Sequence, residues 1–401
     1  MRGGGEIAGD DGSVADLGEW GVIAALKARM PAGPLTSVGI GDDAAVVAAP
    51  SGSVVAAVDL LIEGRHFRRD WSPAYDIGVK AAARSLADIA AMGAVNTALL
   101  VALATPGTLP ARWATDLAAG LASEAVRAGA GIVGGDTARA ESVTLSVTAL
   151  GDLQGRPPVL RSGARPGDLV AVAGPLGRSA AGFALLSAGL APDGGADTAR
   201  EPADPSPPAP LSPGHAADLP APPPGGARAA GFPGALAELA AAHRRPAPPY
   251  DAGPEAALLG ATAMIDVSDG LLADLGHVAA GSGVHIDISS SALAVGAALR
   301  EAAAFLSATA PSPSLAATAQ RDSPAARHPD PPARIAGQDP VAAMALEWVL
   351  TGGEDHALVA TFSPGTVLPD RWRVIGAVLA GAGVTVDGTP HPGPGGWQHF
   401  R

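Results

Sequence analysis

Residues 263–277 read AMIDVSDGLLADLGH and place three carboxylates, Asp266, Asp269 and Asp274, within nine positions directly after an apolar run. Charged side chains are seldom buried without a partner, so such a cluster is solvated, caps a helix or holds a cation. Four more acidic sites share its grammar, in which an apolar strand or a glycine turn delivers the acid: GIGDDAAVV (Asp42, Asp43), AAVDLLIEG (Asp59), IVGGDT (Asp136) and TGGED (Glu354, Asp355). In open α/β sheets ligands bind at the carboxyl ends of strands, so side chains delivered in this way can converge on one cleft. Glycine beside the acid lets a phosphate approach the backbone closely. Each aspartate taken singly reads as well as a helix cap or turn former. Five sites together favour oxygen ligands for a hard cation, with Mg²⁺ foremost because it takes one or two carboxylates plus substrate phosphates.

Competing chemistries lack their residues. Lys27 and Lys80 are the only lysines and neither stands in a G-x-x-x-x-G-K-[ST] loop, which excludes a P-loop enzyme. The protein-kinase motif set, H-E-x-x-H and G-x-S-x-G are absent, and the nine histidines show no close-set zinc spacing. Zero cysteines exclude disulfides, thiolate metal sites and a Cys nucleophile, and accord with a reducing cytoplasm. A net charge of -13, from 26 basic and 39 acidic residues, argues against nucleic acid as a partner. A phosphorylated small molecule bridged to carboxylates by divalent cations remains open.

The elements that must position these acids follow from periodicity and punctuation. The chain has 401 residues, 47% apolar and 16% charged, which suits two globular domains, while 53 Gly and 38 Pro imply many turns and some unstructured stretches. SGSVVAAVDLLIEG reads as a buried strand ending near Asp59. PAYDIGVKAAARSLADIAAMGA reads as a helix opened by Pro73 and Asp76, on which Lys80, Arg84 and Asp88 share a face. A strand (VNTALLVALATP), a helix, the strand and turn AGIVGGDT and the alternating strand ESVTLSVTALGD complete a first α/β unit over 15–151. A second unit over 152–401 begins with the strand DLVAVAG and a helix. Residues 1–14 and two Pro-rich insertions, about 192–233 and 308–336, are expected to be disordered because their composition cannot offset chain entropy. The start lacks a signal peptide and no apolar stretch is long enough for a membrane span, so a soluble, unexported protein is expected, with no membrane partner.

Several of these stretches together resemble the thiamine-monophosphate kinases of the aminoimidazole-ribonucleotide-synthetase-like superfamily. They are GIGDDAAV, VDLLIEGRHF, IGVKAAARSLADIAAMGA, IVGGDT, LRSGARPGD, GPLGRSAAG, MIDVSDGLLADLGH and TGGEDHAL, in family order from about residue 19 to the terminal WQHF. The resemblance implies a two-domain α/β fold of two layers (α+β), homodimers whose N-terminal domains pair in a shared barrel, and active sites in clefts between the domains. It implies transfer of the ATP γ-phosphoryl to thiamine monophosphate with several Mg²⁺ ions. Asp43, Asp59, Asp88, Asp136, Asp266 and Asp269 would be the metal ligands; Gly135, Arg161 and Ser268 would hold ATP; His66, Glu354 and Trp397 would face the thiamine phosphate. No side-chain base is required, because a phosphate monoester is already largely anionic at neutral pH.

Some positions depart from the family or read more plainly. Ala57 and Val58 stand where Ser or Thr is common, and His356 where Tyr is often found. Apart from the resemblance, His66 reads as a satisfied histidine, Trp397 as packing, Arg161 as a surface arginine and Asp274 as structural. Lys80, Arg84 and Asp88 would form an exposed ion network worth well under ~1 kcal/mol per pair. The alternatives are another ATP-dependent superfamily member, such as aminoimidazole ribonucleotide synthetase or selenophosphate synthetase, and a non-catalytic nucleotide-binding protein. The missing cysteine counts against selenophosphate synthetase, and the complete acidic set against loss of catalysis.

Overall fold

The computed structural model describes residues 13–31, 33–40, 44–189, 234–309, 339–393 and 395–397. The first half forms, in order, α1 (Val14–Lys27), β1 (Thr36–Val38), β2 (Val46–Val47), β3 (Val55–Ile62), α2 (Ala74–Ala91), β4 (Val95–Thr105), α3 (Ala111–Arg127), β5 (Gly131–Arg139) and β6 (Thr144–Asp152). The second forms β7 (Leu169–Ala173), α4 (Arg178–Ser187), α5 (Gly234–Arg244), α6 (Ala252–Leu258), β8 (Ala263–Asp266), α7 (Leu271–Ser282), β9 (His285–Ile288), α8 (Ala297–Thr309), α9 (Pro340–Thr351), β10 (Leu358–Phe362), β11 (Trp372–Leu379) and β12 (Gly383–Val386).

A four-stranded sheet, β3-β6-β4-β5, and a six-stranded sheet, β12-β9-β11-β7-β10-β8, carry these elements. Pairing is antiparallel except at β4-β5 and β9-β12. The layers are therefore α+β, helices against sheets, as the two-layer expectation had it. Antiparallel pairing also removes the row of strand carboxyl ends from which convergence was expected: Asp59 and Asp136 lie inside β3 and β5. β3 runs past Asp59 because Leu60, Leu61 and Ile62 continue the ladder against Ser146, Leu145 and Thr144. It is also half-exposed rather than buried: alternate residues face the helices, and Val58 and Leu60 lie outward, 65% and 48% exposed.

What brings the two halves together is α2. Its sequence, AYDIGVKAAARSLADIAA, is alanine-rich nearly all round, so it suits burial on every side rather than on one stripe. It packs against β3, β6 and β4 on one side and against β8, α5 and α6 on the other. One core accordingly joins Leu86, Ile89, Leu117 and Leu145 to Met264, Leu358, Phe362 and Trp372 of the six-stranded sheet. A second core lies on that sheet's far face, where Val172, Ile265 and Val359 meet Leu185, Leu275 and Val349. Each such large side chain contributes roughly 1.5–3 kcal/mol by leaving water. In β7 the alternation is visible residue by residue, with Val170 and Val172 in the far core and Ala171 and Ala173 in the shared one.

The stretches expected to be unstructured, 1–14, 192–233 and 308–336, lie almost wholly outside the described residues. Their described ends are ordered differently from that expectation. Ser13 and Asp16 form a reciprocal capping box that satisfies free N–H groups at the start of α1, and residues 308 and 309 finish α8. No helix among the described residues is long and apolar enough to cross a membrane.

Candidate functional site

Lys80, Arg84 and Asp88, spaced four apart, form one stripe of α2, and its partners belong to loops of the six-stranded sheet. Lys80 is 2% exposed; its Nζ lies 3.0 Å from Glu354 Oε2 and 3.4 Å from His243 Nε2. Arg84 Nη1 donates to Glu354 Oε1 at 3.2 Å, while its Nη2 stands 3.7 Å from Asp59 Oδ1. His243, from α5, is buried and its Nδ1 lies 3.0 Å from Ser179 Oγ and 3.5 Å from Glu354 Oε2. The exposed ion network suggested by spacing does not form. Lys80 and Arg84 instead join Glu354 and His243 in a largely closed polar bridge between the two sheets, in which Lys80 and His243 are buried while Arg84 and Glu354 keep limited access to solvent.

Three aspartates distant in sequence come together along the same stripe. Ser85 Oγ donates to Asp59 Oδ2 at 3.1 Å, fixing that carboxylate on the helix face of β3. Burial pushes Asp88 up to about 8, helped by the negative charges of Asp266 and Asp59 and opposed by Arg161 and Arg84. Asp88 therefore has Asp59, Asp266, Arg84 and Arg161 as electrostatic neighbours. Asp266 ends β8, is buried, and lies 3.0 Å through Oδ2 from His356 Nδ1. Asp274 accepts the backbone N–H groups of Asp269 and Gly270 at 3.1 Å and so holds the turn into α7. Burial, with Asp266 and Asp269 nearby, raises it to about 8. Among the described residues no three acidic or histidine side chains already surround one point as a metal site.

The GGEDH turn faces this cluster in a strained conformation. Glu354 and His356 have positive φ values of 63° and 52°, which non-glycine residues rarely adopt and which concentrate at functional sites. The turn is locked against the SDG loop: Glu354 N–H donates to Ser268 C=O at 2.8 Å, and His356 N–H to Val267 C=O at 2.9 Å. Gly353 is required there, since a Cβ would lie 2.4 Å from Ser268 O. Burial alone would raise the Glu354 carboxyl, but Lys80, His243 and Arg84 outweigh it and hold the group well below the usual range. Burial likewise lowers the Lys80 ammonium in spite of Glu354. Asp355, buried, accepts the N–H groups of Gly177 and Ser179 at the start of α4, and burial raises it to about 7.

The remaining expected residues are distributed as follows. Asp43 lies outside the described residues. Asp136 is exposed on β5, at the edge of the four-stranded sheet opposite β3, about 14 Å across three strand spacings, so one sheet does not bring it to Asp59. Its Oδ1 accepts the Thr137 N–H. Gly135 is held so closely to β4 that a Cβ would meet Val101 O at 1.8 Å. Arg161 is exposed and reaches Asp88 as charge. His66 follows β3, and its Nδ1 accepts the Ile62 N–H at 3.0 Å. Trp397, 43% exposed, donates its backbone N–H to Asp269 C=O, and Ala273 N–H donates to Gly395 C=O, so the chain end crosses the SDG loop. Sequence reasoning missed His243, Ser179 and the pairing of His356 with Asp266. Only the tertiary fold reveals the first two; the third had a partial signal in His356 standing where Tyr is often found.

Residues 41–153 match the family described as AIR synthase related protein, N-terminal domain. Over 397 residues the chain is 43% identical to the thiamine-monophosphate kinase of Mycobacterium tuberculosis, covering 98% of this chain and 95% of that protein. The crystal structure of the thiamine-monophosphate kinase from Stenotrophomonas maltophilia is 28% identical with a TM-score of 0.64, covering 92% of this chain and 95% of that one. A solved structure of AaThiL complexed with AMPPCP and TMP is 28% identical with a TM-score of 0.63, covering 96% and 98%.

Proposed function

The chain belongs to the thiamine-monophosphate kinase family, an ATP-dependent phosphotransferase family, and from that premise we propose how its cleft carries out the transfer. Asp59, Asp88, Asp266 and Asp269, with Asp43 and Asp136, would hold several Mg²⁺ ions. Bound there, Mg²⁺ supplies the positive charge that lets two phosphate groups approach in line. One observation carries this reading: carboxylates from positions 59, 88 and 266, far apart in sequence, come close enough in a largely buried cleft that Asp266 and Asp59 add to burial in raising Asp88. A set of mutually repelling oxygens is short of a cation, and oxygen-only donors suit Mg²⁺.

The chain's own side chains bind and orient. Ser268 sits on the SDG loop beside Asp269, while Gly135 offers backbone to which a phosphate can come close and Arg161 a guanidinium, and we assign these three to ATP. His66, Glu354 and Trp397 are assigned to thiamine monophosphate, whose cationic ring suits the carboxylate of Glu354 and an indole face. The acceptor phosphate is anionic at neutral pH, so the reading contains no catalytic side-chain base. Positioning does the work instead.

The same reading includes residues 15–151 as an ATP- and metal-binding and dimerisation domain, 152–401 as the second domain, and a homodimer in a cytoplasmic setting that supplies ATP. Support for the dimer comes from the open face of the four-stranded sheet, where Val58 and Leu60 are exposed. Pairing the β3 edge of one copy with the β5 edge of another also gives Asp136 a route to a metal site that a single sheet denies it.

Release of ADP with ATP, Mg²⁺ and thiamine monophosphate, against free thiamine and an aminoimidazole ribonucleotide precursor, tests the proposal. Turnover is expected only with the monophosphate, and is expected to collapse in Asp269→Asn and Asp59→Asn with folding retained. Turnover with the aminoimidazole compound instead, or wild-type rates in both variants, defeats it.

A further inference from the structure

The cations that act on Asp88 are Arg161 and Arg84, and those that act on Glu354 are Lys80, His243 and Arg84. Arg84 belongs to both sets. Lys80 is buried behind Glu354 and committed to it and to His243. Arg84 instead faces one carboxylate in each half of the cleft: it donates a hydrogen bond to Glu354 on the GGEDH turn through Nη1 at 3.2 Å and forms a looser ion pair with Asp59 on β3 through Nη2 at 3.7 Å. The guanidinium is planar and rigid, so a single group sets the separation of two carboxylates that no backbone pairing connects.

We propose that Arg84 is a positioning residue that fixes the metal-binding half of the cleft, through Asp59, relative to the acceptor half, through Glu354. The inference rests on the reading that Asp59 holds Mg²⁺ and Glu354 faces the acceptor. Lysine carries the same charge as a single point and cannot span both carboxylates. The alanine variant retains its fold on structural grounds: Glu354 keeps Lys80 and His243, and Asp59 keeps the Ser85 hydroxyl.

The test compares Arg84→Ala and Arg84→Lys with the parent chain in the ADP-release assay, with Mn²⁺ binding to the substrate-free protein and thermal unfolding measured alongside. In Arg84→Ala kcat falls about 100-fold, the loss expected from misplacing reacting groups by roughly 1 Å, while KM for ATP stays within about 3-fold. Arg84→Lys recovers only a small part of kcat. Mn²⁺ binding does not weaken, because a cation that competes for Asp59 has gone. Added guanidinium restores part of kcat to the alanine variant. If Arg84→Ala keeps kcat within about 3-fold while Asp59→Asn abolishes turnover, the inference is overturned and the functional reading stands. Unimpaired turnover in Asp59→Asn removes the reading beneath it. Lost activity with a lowered melting temperature, weaker Mn²⁺ binding and no response to guanidinium makes Arg84 structural and also overturns the inference.

Discussion

Glu354→Ala removes the carboxylate that lies 3.0 Å from a fully buried ammonium, that of Lys80. Breaking a buried ion pair from one side costs about 3–5 kcal/mol, because the remaining charge stays desolvated and unpaired. Two features place this case at the lower end: Glu354 is only partly buried, and His243 Nε2 remains 3.4 Å from Lys80 Nζ. A loss of about 3 kcal/mol is expected, equivalent to a melting temperature lower by roughly 4–5 °C in a chain of this length. Lys80→Met leaves Glu354 beside Arg84 and His243 with partial access to water, so it costs less, about 1–2 kcal/mol. Urea unfolding followed by circular dichroism at neutral pH measures both. The variant also gains a pH signature. Burial already lowers Lys80, and loss of Glu354 lowers it further, so between that folded value and the ordinary lysine value of about 10.4 the unfolded chain binds more protons. Stability therefore rises with pH in that window, and the deficit of Glu354→Ala narrows as pH rises toward it. A Glu354→Ala cost below about 0.5 kcal/mol, or a larger cost for Lys80→Met, refutes the view that Glu354 is the counter-ion of a buried Lys80.

Other outcomes follow from single contacts. Asp355→Asn removes one of the two carboxylate oxygens that accept N–H groups at the start of α4, costing about 1–2 kcal/mol in the same unfolding assay. Because burial raises Asp355 to about 7, the native parent binds the extra proton between about pH 4 and 7 and loses stability as pH rises; the deficit of the variant is largest at the acid end and shrinks toward pH 7. Gly135→Ala places a Cβ 1.8 Å from Val101 O, so β4 and β5 must separate, and both soluble yield and melting temperature fall. Trp397→Ala raises KM for thiamine monophosphate about 2–10-fold, corresponding to ~0.5–1.5 kcal/mol of aromatic contact, with KM for ATP unchanged in steady-state kinetics.

The acidic grammar and the helix over 74–91 were legible because both rest on local rules, delivery by Gly turns and four-residue spacing. What those rules missed is tertiary. Lys80 looked like a solvated lysine, since nothing in KAAARSLAD says that a second sheet covers it. The expected row of strand ends was replaced by antiparallel pairing, because a strand's partner depends on distant segments; Asp59 faces Ser85 of α2 rather than an open strand end. His243 lies in an alanine-rich helix with no motif around it, and only the packing of α5 on α2 brings it to Glu354. Asp136 shows the reverse case: its GGDT signal is strong, yet within one sheet it stands at the opposite edge from Asp59.

Diffraction from crystals grown with Mn²⁺, a non-hydrolysable ATP analogue and thiamine monophosphate tests the central claim most directly, since manganese reveals itself by anomalous scattering. The expected map has Mn²⁺ peaks touching carboxylate oxygens of Asp59, Asp88 and Asp266, with the terminal phosphate of the analogue and the acceptor phosphate on either side of them. Peaks remote from these three aspartates, or a nucleotide bound away from the stripe of α2, would contradict it.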